Sequence, residues 1–251
     1  MGGERREIST TLARGWGCVG GAGRFGLNIQ VEICVESSAF SHAAAQAGAD
    51  RLEVCDRLDL DGLTPQPQIV ESALATNASV VVMLRDRIDF FAGDDGATSL
   101  LGPLRDFASL GVQGVVFGFL QADGHLDWDS NRRLLEAAKE HDLEVVFHRA
   151  IDAAFDPLLA AAQLQELQFD RVLSAGGASS ILEGSEQFLR MQAEAPKLNW
   201  MPGGGLRGEN MAELLETLQP TDVHSSAGGD PLEVERLVGL CRSIKGFQQE
   251  D

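Results

Sequence analysis

The sequence predicts an α/β protein that folds as a single (β/α)8 TIM barrel, on the evidence of its strand–helix alternation, its length and a missing nucleotide-binding pattern. From Leu27 onward, a short β-branched run is followed eight times by a segment with apolar residues three and four positions apart. This alternation requires a parallel sheet with right-handed crossovers. Barrels of this kind run to roughly 250 residues as one domain, and the chain has 251. A dinucleotide-binding sheet would need GxGxxG after its first strand, where ICVESS contains no glycine.

The eight predicted pairs follow one another in a regular order. The first four strands are 28–35, 50–55, 79–84 and 112–119, with helices at 37–49, 65–76, 98–111 and 128–141. The last four strands are 143–148, 169–176, 198–204 and 221–226, with helices at 156–167, 179–195, 207–218 and 231–244. Eight closely spaced units favour a closed barrel over an open sheet.

Residues 1–26 precede the first predicted strand and are left out of the predicted barrel domain, which takes up 27–251. This stretch is rich in glycine and arginine, and it lacks the hydrophobic segment of a secretory signal. Glu4 and Glu7 argue against an organellar transit peptide, so we expect a disordered leader. No apolar run in the chain reaches membrane-spanning length, so no membrane partner is expected.

The composition excludes further classes of protein. Twenty Lys+Arg against 38 Asp+Glu give a formal net charge of −18, which denies the chain the basic patch that nucleic-acid binding needs. Four dispersed cysteines are too few for a disulfide scaffold in a chain of this length, and they favour a reducing cytoplasm. A small molecule or a metal ion is therefore the expected ligand.

Polar residues concentrate where the predicted strands end, and barrel enzymes place their working residues at those carboxyl-terminal ends. Alternation in VEICV puts Glu32 and Cys34 opposite the apolar residues, and LEVCD does the same for Glu53 and Cys55. Because the apolar face should meet the helices, all four side chains are expected to point into the barrel. The cations and histidines that close strands three, five and eight are Arg85, His148, Arg149 and His224.

Two carboxylates inside a barrel need partners, because an unpaired buried charge is costly unless a pKa shift neutralises it. One interpretation is a buried network of Glu32, Glu53 and Arg85 that stabilises the barrel. We favour the other, a functional pocket, because two acids, several cations and two histidines in one barrel mouth exceed what a core needs.

The loop MPGGGLRGEN follows strand seven and contains Gly203, Gly204 and Gly205, and the turn HSSAGG follows strand eight. Barrels commonly bind phosphate at these positions, through exposed backbone N–H groups and a helix N-terminus. Glycines also serve tight turns, so turn formation is the alternative explanation.

Strings spread over residues 29–227 resemble the CutC family of copper homeostasis proteins. They are VEICVES, GADRLEVC, DGLTPQ, VVMLRDR, GVVFGFLQADGHLD, VFHRAIDAAFDP, DRVLSAGGASSILEG, MPGGGLRGEN and VHSSA. The resemblance implies a TIM barrel, a cytoplasmic location, a homo-oligomer such as a dimer or tetramer, and a link to copper. The chain departs from the family pattern in three loops, where SAGG, RDR and DGLTPQ stand for TSGG, RPR and GGxTPS.

The resemblance also implies that Cys34 and Cys55 are candidate ligands for Cu(I). Thiolates are soft ligands that select Cu(I), and neighbouring strands lie ~4.8 Å apart, so matching positions on two strands can share one ion. Free cysteine is also a common buried apolar residue, so a pair inside a barrel does not require a metal.

Three functions remain open, and the sequence leaves undecided whether the chain is an enzyme. The first is Cu(I) binding, and the second is catalysis on a small anionic substrate, phosphorylated or sugar-like, with His148 or Glu53 as general base. The third is an interaction scaffold. The catalytic candidates are Glu32, Glu53 and His148; the substrate-binding candidates are Arg85, Arg149, Asp152, Gly203, Gly204, Gly205 and His224. Lys197 opens strand seven, so no strand-end lysine serves as a Schiff base.

Overall fold

The computed structural model describes residues 29–93 and 96–243, so the predicted leader at 1–26 lies outside the described residues. Within them the chain forms eight strands: β1 Gln30–Val35, β2 Arg51–Val54, β3 Ser79–Met83, β4 Gly114–Phe117, β5 Glu144–Phe147, β6 Arg171–Ser174, β7 Asn199–Pro202 and β8 Asp222–Ser225. Consecutive strands pair in parallel from β1 to β7, and β8 pairs with β1. A parallel bridge between Gly203 and His224 joins the end of β7 to β8. The predicted TIM barrel is confirmed.

One helix follows each strand, as the apolar periodicity predicts. The helices are α1 Ser38–Gln46, α2 Pro67–Leu74, α3 Leu101–Leu110, α4 Trp128–Lys139, α5 Pro157–Leu167, α6 Ser185–Glu194, α7 Met211–Leu218 and α8 Pro231–Ser243. Side chains of Ser37, Asp127 and Asp156 accept N–H bonds at the starts of α1, α4 and α5. Over the described residues, no helix combines the length and the apolar character needed to cross a membrane.

The sixth helix begins later than its sequence pattern predicts, at Ser185 instead of residue 179. The preceding residues form a loop in which the backbone at Gly176 passes directly against Gly184. A Cβ built on Gly184 would lie 1.9 Å from the carbonyl oxygen of Ala175, so only glycine allows this approach. Tertiary contact therefore overrides helix propensity over this stretch.

Side chains along each strand point alternately into one of two apolar layers. Outward-facing residues such as Val31, Ile33 and Leu52 join the helices in the main core. The inward-facing residues form a second, smaller cluster, which consists of Cys34, Cys55, Val81, Met83, Val116 and Val146. Each fully buried Val, Leu or Ile contributes about 1.5–3 kcal/mol, so the outer layer supplies most of the fold's stabilisation.

Charged side chains from the strand starts fill the lower part of the barrel. Arg51 donates to Glu32, and also to Glu144 at 3.0 Å. Arg171 donates to the same Glu144 carboxylate at 2.9 Å and to Asp222. This chain of ion pairs links β1, β2, β5, β6 and β8 below the polar site, so each buried charge there has a partner of opposite sign.

Candidate functional site

A cavity of about 870 Å³ opens at the carboxyl-terminal ends of the strands. Its lining from the strands and their last residues includes Cys34, Glu53, Met83, His148, Leu173 and His224. Its lining from the outer loops includes Arg149, Asp152, Gly204, Gly205, Arg207 and Ser226. The cavity occupies the end of the barrel where this fold places active sites.

His224 lies between two buried carboxylates from neighbouring strands. Its Nδ1 is 2.6 Å from Glu32 Oε1 and 3.3 Å from Glu53 Oε2. Burial opposes ionisation of Glu32, but Arg51 and His224 outweigh it and lower the pKa of that carboxyl to about 2. Burial raises the pKa of Glu53 to about 7, against the opposing charge of His224. The two carboxyl groups therefore differ in proton affinity, and of the two only Glu53 changes its protonation near neutral pH.

The surroundings of His224 favour the protonated, charged form of its imidazole. Burial alone would lower the pKa of His224, but Glu53 and Glu32 outweigh burial and raise it above the ordinary 6.5. Because these groups interact closely, they titrate as one unit.

Cys34 and Cys55 lie side by side inside the barrel, with their Sγ atoms 3.3 Å apart. Cys34 reaches the cavity, whereas Cys55 is fully buried. The hydrogen bond with Cys55, burial and the charge of Glu53 raise the pKa of the Cys34 thiol well above its ordinary 9.0. One ligand atom from each of Cys34, Glu53 and His224 lies within 4.8 Å of the others. These thiol, carboxylate and imidazole donors can converge on one metal ion.

His148 is a hydrogen-bond donor in this site. Its Nδ1 accepts the Ala150 N–H at 3.2 Å, so the ring proton is carried by Nε2, which has no partner among the described residues. Burial, reinforced by the charge of Arg85, lowers the pKa of His148 to about 3, so the ring is neutral. The geometry therefore opposes the predicted role of His148 as a general base, since its one free nitrogen already holds a proton.

Arg85 does not reach the carboxylates, so the buried network of Glu32, Glu53 and Arg85, the interpretation that we did not favour from the sequence, is not formed. Its Nη1 donates to the carbonyl oxygens of Leu60 and Gly62, at 2.9 and 3.0 Å. Its backbone pairs with Thr64, which draws this segment toward the loop after β2. Arg85 therefore braces that loop, and the buried cation beside Glu32 is Arg51.

Sequence reasoning missed Arg51 because it searched strand ends, whereas Arg51 begins β2. The sequence nevertheless contained an indication that Arg51 points into the barrel. Arg51, Glu53 and Cys55 are two residues apart, so they share one face of the strand.

Asp152 organises the mouth instead of standing free for a substrate. Its carboxylate accepts bonds from Ser174 Oγ at 2.6 Å, from the backbone N–H of Ala175 and Gly177, and from Arg149 Nε at 2.9 Å. With this many donors, Asp152 ties the loop after β6 to Arg149.

The predicted anion loop is only partly available. The Gly203 N–H donates to Ser174 O at 3.0 Å, within the barrel wall. The parallel bridge between Gly203 and His224 turns the Gly204 N–H toward β8. The Gly205 N–H has no partner in the described part of the chain, and both residues line the cavity. Arg207, which sequence reasoning did not select, lines the cavity beside them.

The CutC family model matches residues 29–229. A CutC family protein of Vibrio vulnificus is 36% identical over 203 residues, covering 80% of this chain and 81% of its own. A relative of the same name from Pasteurella multocida is 33% identical over 226 residues, covering 89% and 91%. The crystal structure of CutC from Streptococcus agalactiae, a candidate copper homeostasis protein, superposes with a TM-score of 0.73 at 26% identity, covering 79% of this chain and 98% of that one. Phosphoribosylanthranilate isomerase of Thermotoga maritima shares the fold alone, with a TM-score of 0.56 at 13% identity over 86% and 99% of the two chains.

Proposed function

The chain belongs to the CutC family, and from that premise we propose that it binds Cu(I) with the thiolates of Cys34 and Cys55. The main support is the 3.3 Å separation of the two sulfurs, which brings soft donors from adjacent strands together. The Streptococcus agalactiae relative, described as a candidate copper homeostasis protein, supports the choice of metal.

The surroundings of the sulfurs suit a soft, monovalent ion. Met83 packs in the same inward-facing cluster as the two cysteines, and its thioether is a third donor of the kind that selects Cu(I). The apolar residues Val81, Val116 and Val146 complete that cluster and exclude water from the buried side. Hard cations prefer oxygen ligands, so this side of the site favours Cu(I) over Mg²⁺ or Ca²⁺.

Copper binding in this proposal releases thiol protons, because the thiolate is the ligand. The pKa of Cys34 is raised, so the thiol is protonated at neutral pH and affinity for Cu(I) should increase as the pH rises. A carboxylate oxygen of Glu53, whose pKa is about 7, lies within 4.8 Å of the Cys34 sulfur and can accept the proton.

The test is a titration of the reduced protein with Cu(I) against a competing chelator of known affinity. We expect about one Cu(I) per chain, loss of binding in the Cys34→Ser, Cys55→Ser double variant, and sulfur ligands in the copper X-ray absorption spectrum. Cys241→Ser is the matched control, because Cys241 is also buried but packs in the outer core on α8. Unchanged stoichiometry and affinity in the folded double variant would overturn the proposal.

A cytoplasmic location belongs to this proposal, because the thiols must stay reduced to bind the metal. Fractionation of cells that express the tagged protein tests it. The proposed homo-oligomer, a dimer or tetramer, is tested by light scattering coupled to size-exclusion chromatography.

A further inference from the structure

We infer that the barrel mouth is also a binding site for a phosphorylated small molecule, with its phosphate at Arg149, Arg207 and the amide of Gly205, and its opposite end at His148. This site goes beyond the proposed copper function, and it uses neither Cys34 nor Cys55. Four features of the cavity support it.

The first feature is an unmatched donor deep in the cavity. His148 is 4% exposed and lines the cavity, and its Nε2–H has no acceptor among the described residues. A buried donor without an acceptor is destabilising, so the site favours a ligand that brings an acceptor oxygen. Because Nε2 carries the proton, that acceptor is a hydroxyl or carbonyl oxygen of the ligand.

The second feature is a backbone donor at the outer edge, the N–H of Gly205, which has no partner within the described residues and belongs to a residue that lines the cavity. Gly204 has a φ of +103°, and a Cβ there would lie 2.8 Å from Ala175 Cβ. Only glycine therefore allows the backbone to pass this close to the loop after β6. The next residue, Gly205, has a φ of +68°, and its free N–H can donate to an anion in the mouth.

The third feature is the available positive charge next to that amide. Arg149 uses only Nε for its ion pair with Asp152, and its guanidinium carbon would be 3.5 Å from a Cβ on Gly204. Arg207 donates only to the Leu206 carbonyl and to the hydroxyls of Ser225 and Ser226, so it has no carboxylate partner in the part of the chain that the structure describes. Two guanidinium groups with spare N–H donors match a phosphate, which accepts several charge-assisted bonds.

The fourth feature is the uneven charge of the cavity wall. Glu36, Asp59 and Asp61 line it on the side of β1 and β2. Arg149 and Arg207 line it on the side of β5 and β7, where the one acid among the described lining residues, Asp152, is paired with Arg149 and with backbone N–H groups. A phosphate entering the mouth is repelled from the first side and attracted to the second. The volume of about 870 Å³ holds a molecule of sugar-phosphate size, and both the arginines and His148 line it.

The experiment uses the full chain in its reduced, metal-free form, with two kinds of probe. Inorganic phosphate reports on the anion end alone, and a panel of triose, pentose and hexose phosphates reports on both ends. We expect phosphate to bind weakly, and at least one sugar phosphate to bind at least about tenfold more tightly in calorimetry. That sugar phosphate should also shift the ¹⁵N resonance of His148 Nε2, whereas inorganic phosphate should not.

Substitutions then locate the phosphate. Arg207→Gln and Arg149→Gln should each weaken both probes about tenfold or more, because each removes a charge-assisted bond. Arg105→Gln is the control, because Arg105 is an exposed arginine on α3, outside the barrel mouth. Cys34→Ser should leave phosphate binding unchanged, which separates this site from the copper site.

Two results would overturn the inference. One is that neither probe binds above a sodium chloride blank of matched ionic strength. The other is that Arg207→Gln and Arg149→Gln, shown by circular dichroism to be folded, bind the probes as tightly as the unaltered chain does. If every sugar phosphate binds no more tightly than inorganic phosphate, the assigned contact at His148 is wrong.

Discussion

Replacing Arg51 by methionine should destabilise the barrel more than any exposed charge substitution, because it leaves Glu32 buried without its cation. Glu32 is 2% exposed and its pKa is about 2, against an ordinary value of 4.5. At about 1.4 kcal/mol per pKa unit, this difference corresponds to about 3 kcal/mol of stability at neutral pH. Removing one partner of a buried ion pair costs about 3–5 kcal/mol, and we expect Arg51→Met to lie in that range.

The pH dependence follows from the direction of the Glu32 shift. Its folded-state pKa is lowered, so its contribution is complete above about pH 4.5 and is lost as the pH falls toward 2. In Arg51→Met the buried carboxyl loses the cation that keeps it ionised, so burial should raise its pKa. The variant's deficit in stability relative to the unaltered chain should therefore shrink as the pH is lowered through this window.

Urea unfolding, followed by circular dichroism at several pH values, measures both effects. Arg132→Met is the control, because Arg132 forms ion pairs on the exposed face of α4 with its side chain 52% exposed. Such pairs are worth at most about 1 kcal/mol. Adding Glu32→Gln to Arg51→Met should recover part of the loss. If Arg51→Met and Arg132→Met cost the same, the buried network does not stabilise the barrel as reasoned here.

Three further predictions concern single groups. The pKa of His148 is lowered to about 3, so the ¹⁵N shifts of its ring should stay constant from pH 8 to about 5. The stability that the neutral ring contributes should be present above about pH 6.5 and decline toward pH 3. A titration midpoint near 6.5 would show that the ring is not buried as described. Gly184→Ala should lower the stability by several kcal/mol, because its Cβ would lie 1.9 Å from the Ala175 carbonyl oxygen. The control is Gly239→Ala on α8, where a Cβ has open space, and it should be neutral or stabilising by up to about 1 kcal/mol. Thermal melts of the two variants measure the difference. The raised pKa of Cys34 should make alkylation of its thiol slow at pH 7 and faster as the pH rises, as measured by peptide mass spectrometry. Rapid alkylation at pH 7 would mean that Cys34 is a thiolate and that its pKa is not raised.

The inward direction of four chemically important side chains could be derived from the sequence, because strand alternation is a local property. Glu32 and Cys34 lie two residues apart in β1, and Glu53 in β2 lies two residues before Cys55, which directly follows that strand. The apolar residues between them identify the outer face. The sulfur pair follows from the same alternation, since Cys34 and Cys55 end adjacent inward rows on paired strands. The sequence did not identify which buried cation pairs with Glu32, because Arg85 and Arg51 are equally plausible partners when only the order of residues is known.

The sequence by itself therefore determined the barrel, the number of its βα units and the face on which the acids and cysteines lie. Only the tertiary structure decided which charges meet, because those pairings join residues far apart along the chain: His224 and Glu32 are separated by 192 positions, and Arg51 and Glu144 by 93. Closure of the ring sets the register between such strands, and turns such as the one holding Arg85 redirect side chains beyond the last paired residue. Local periodicity carries no information about either effect, since both depend on how separate strands pack together.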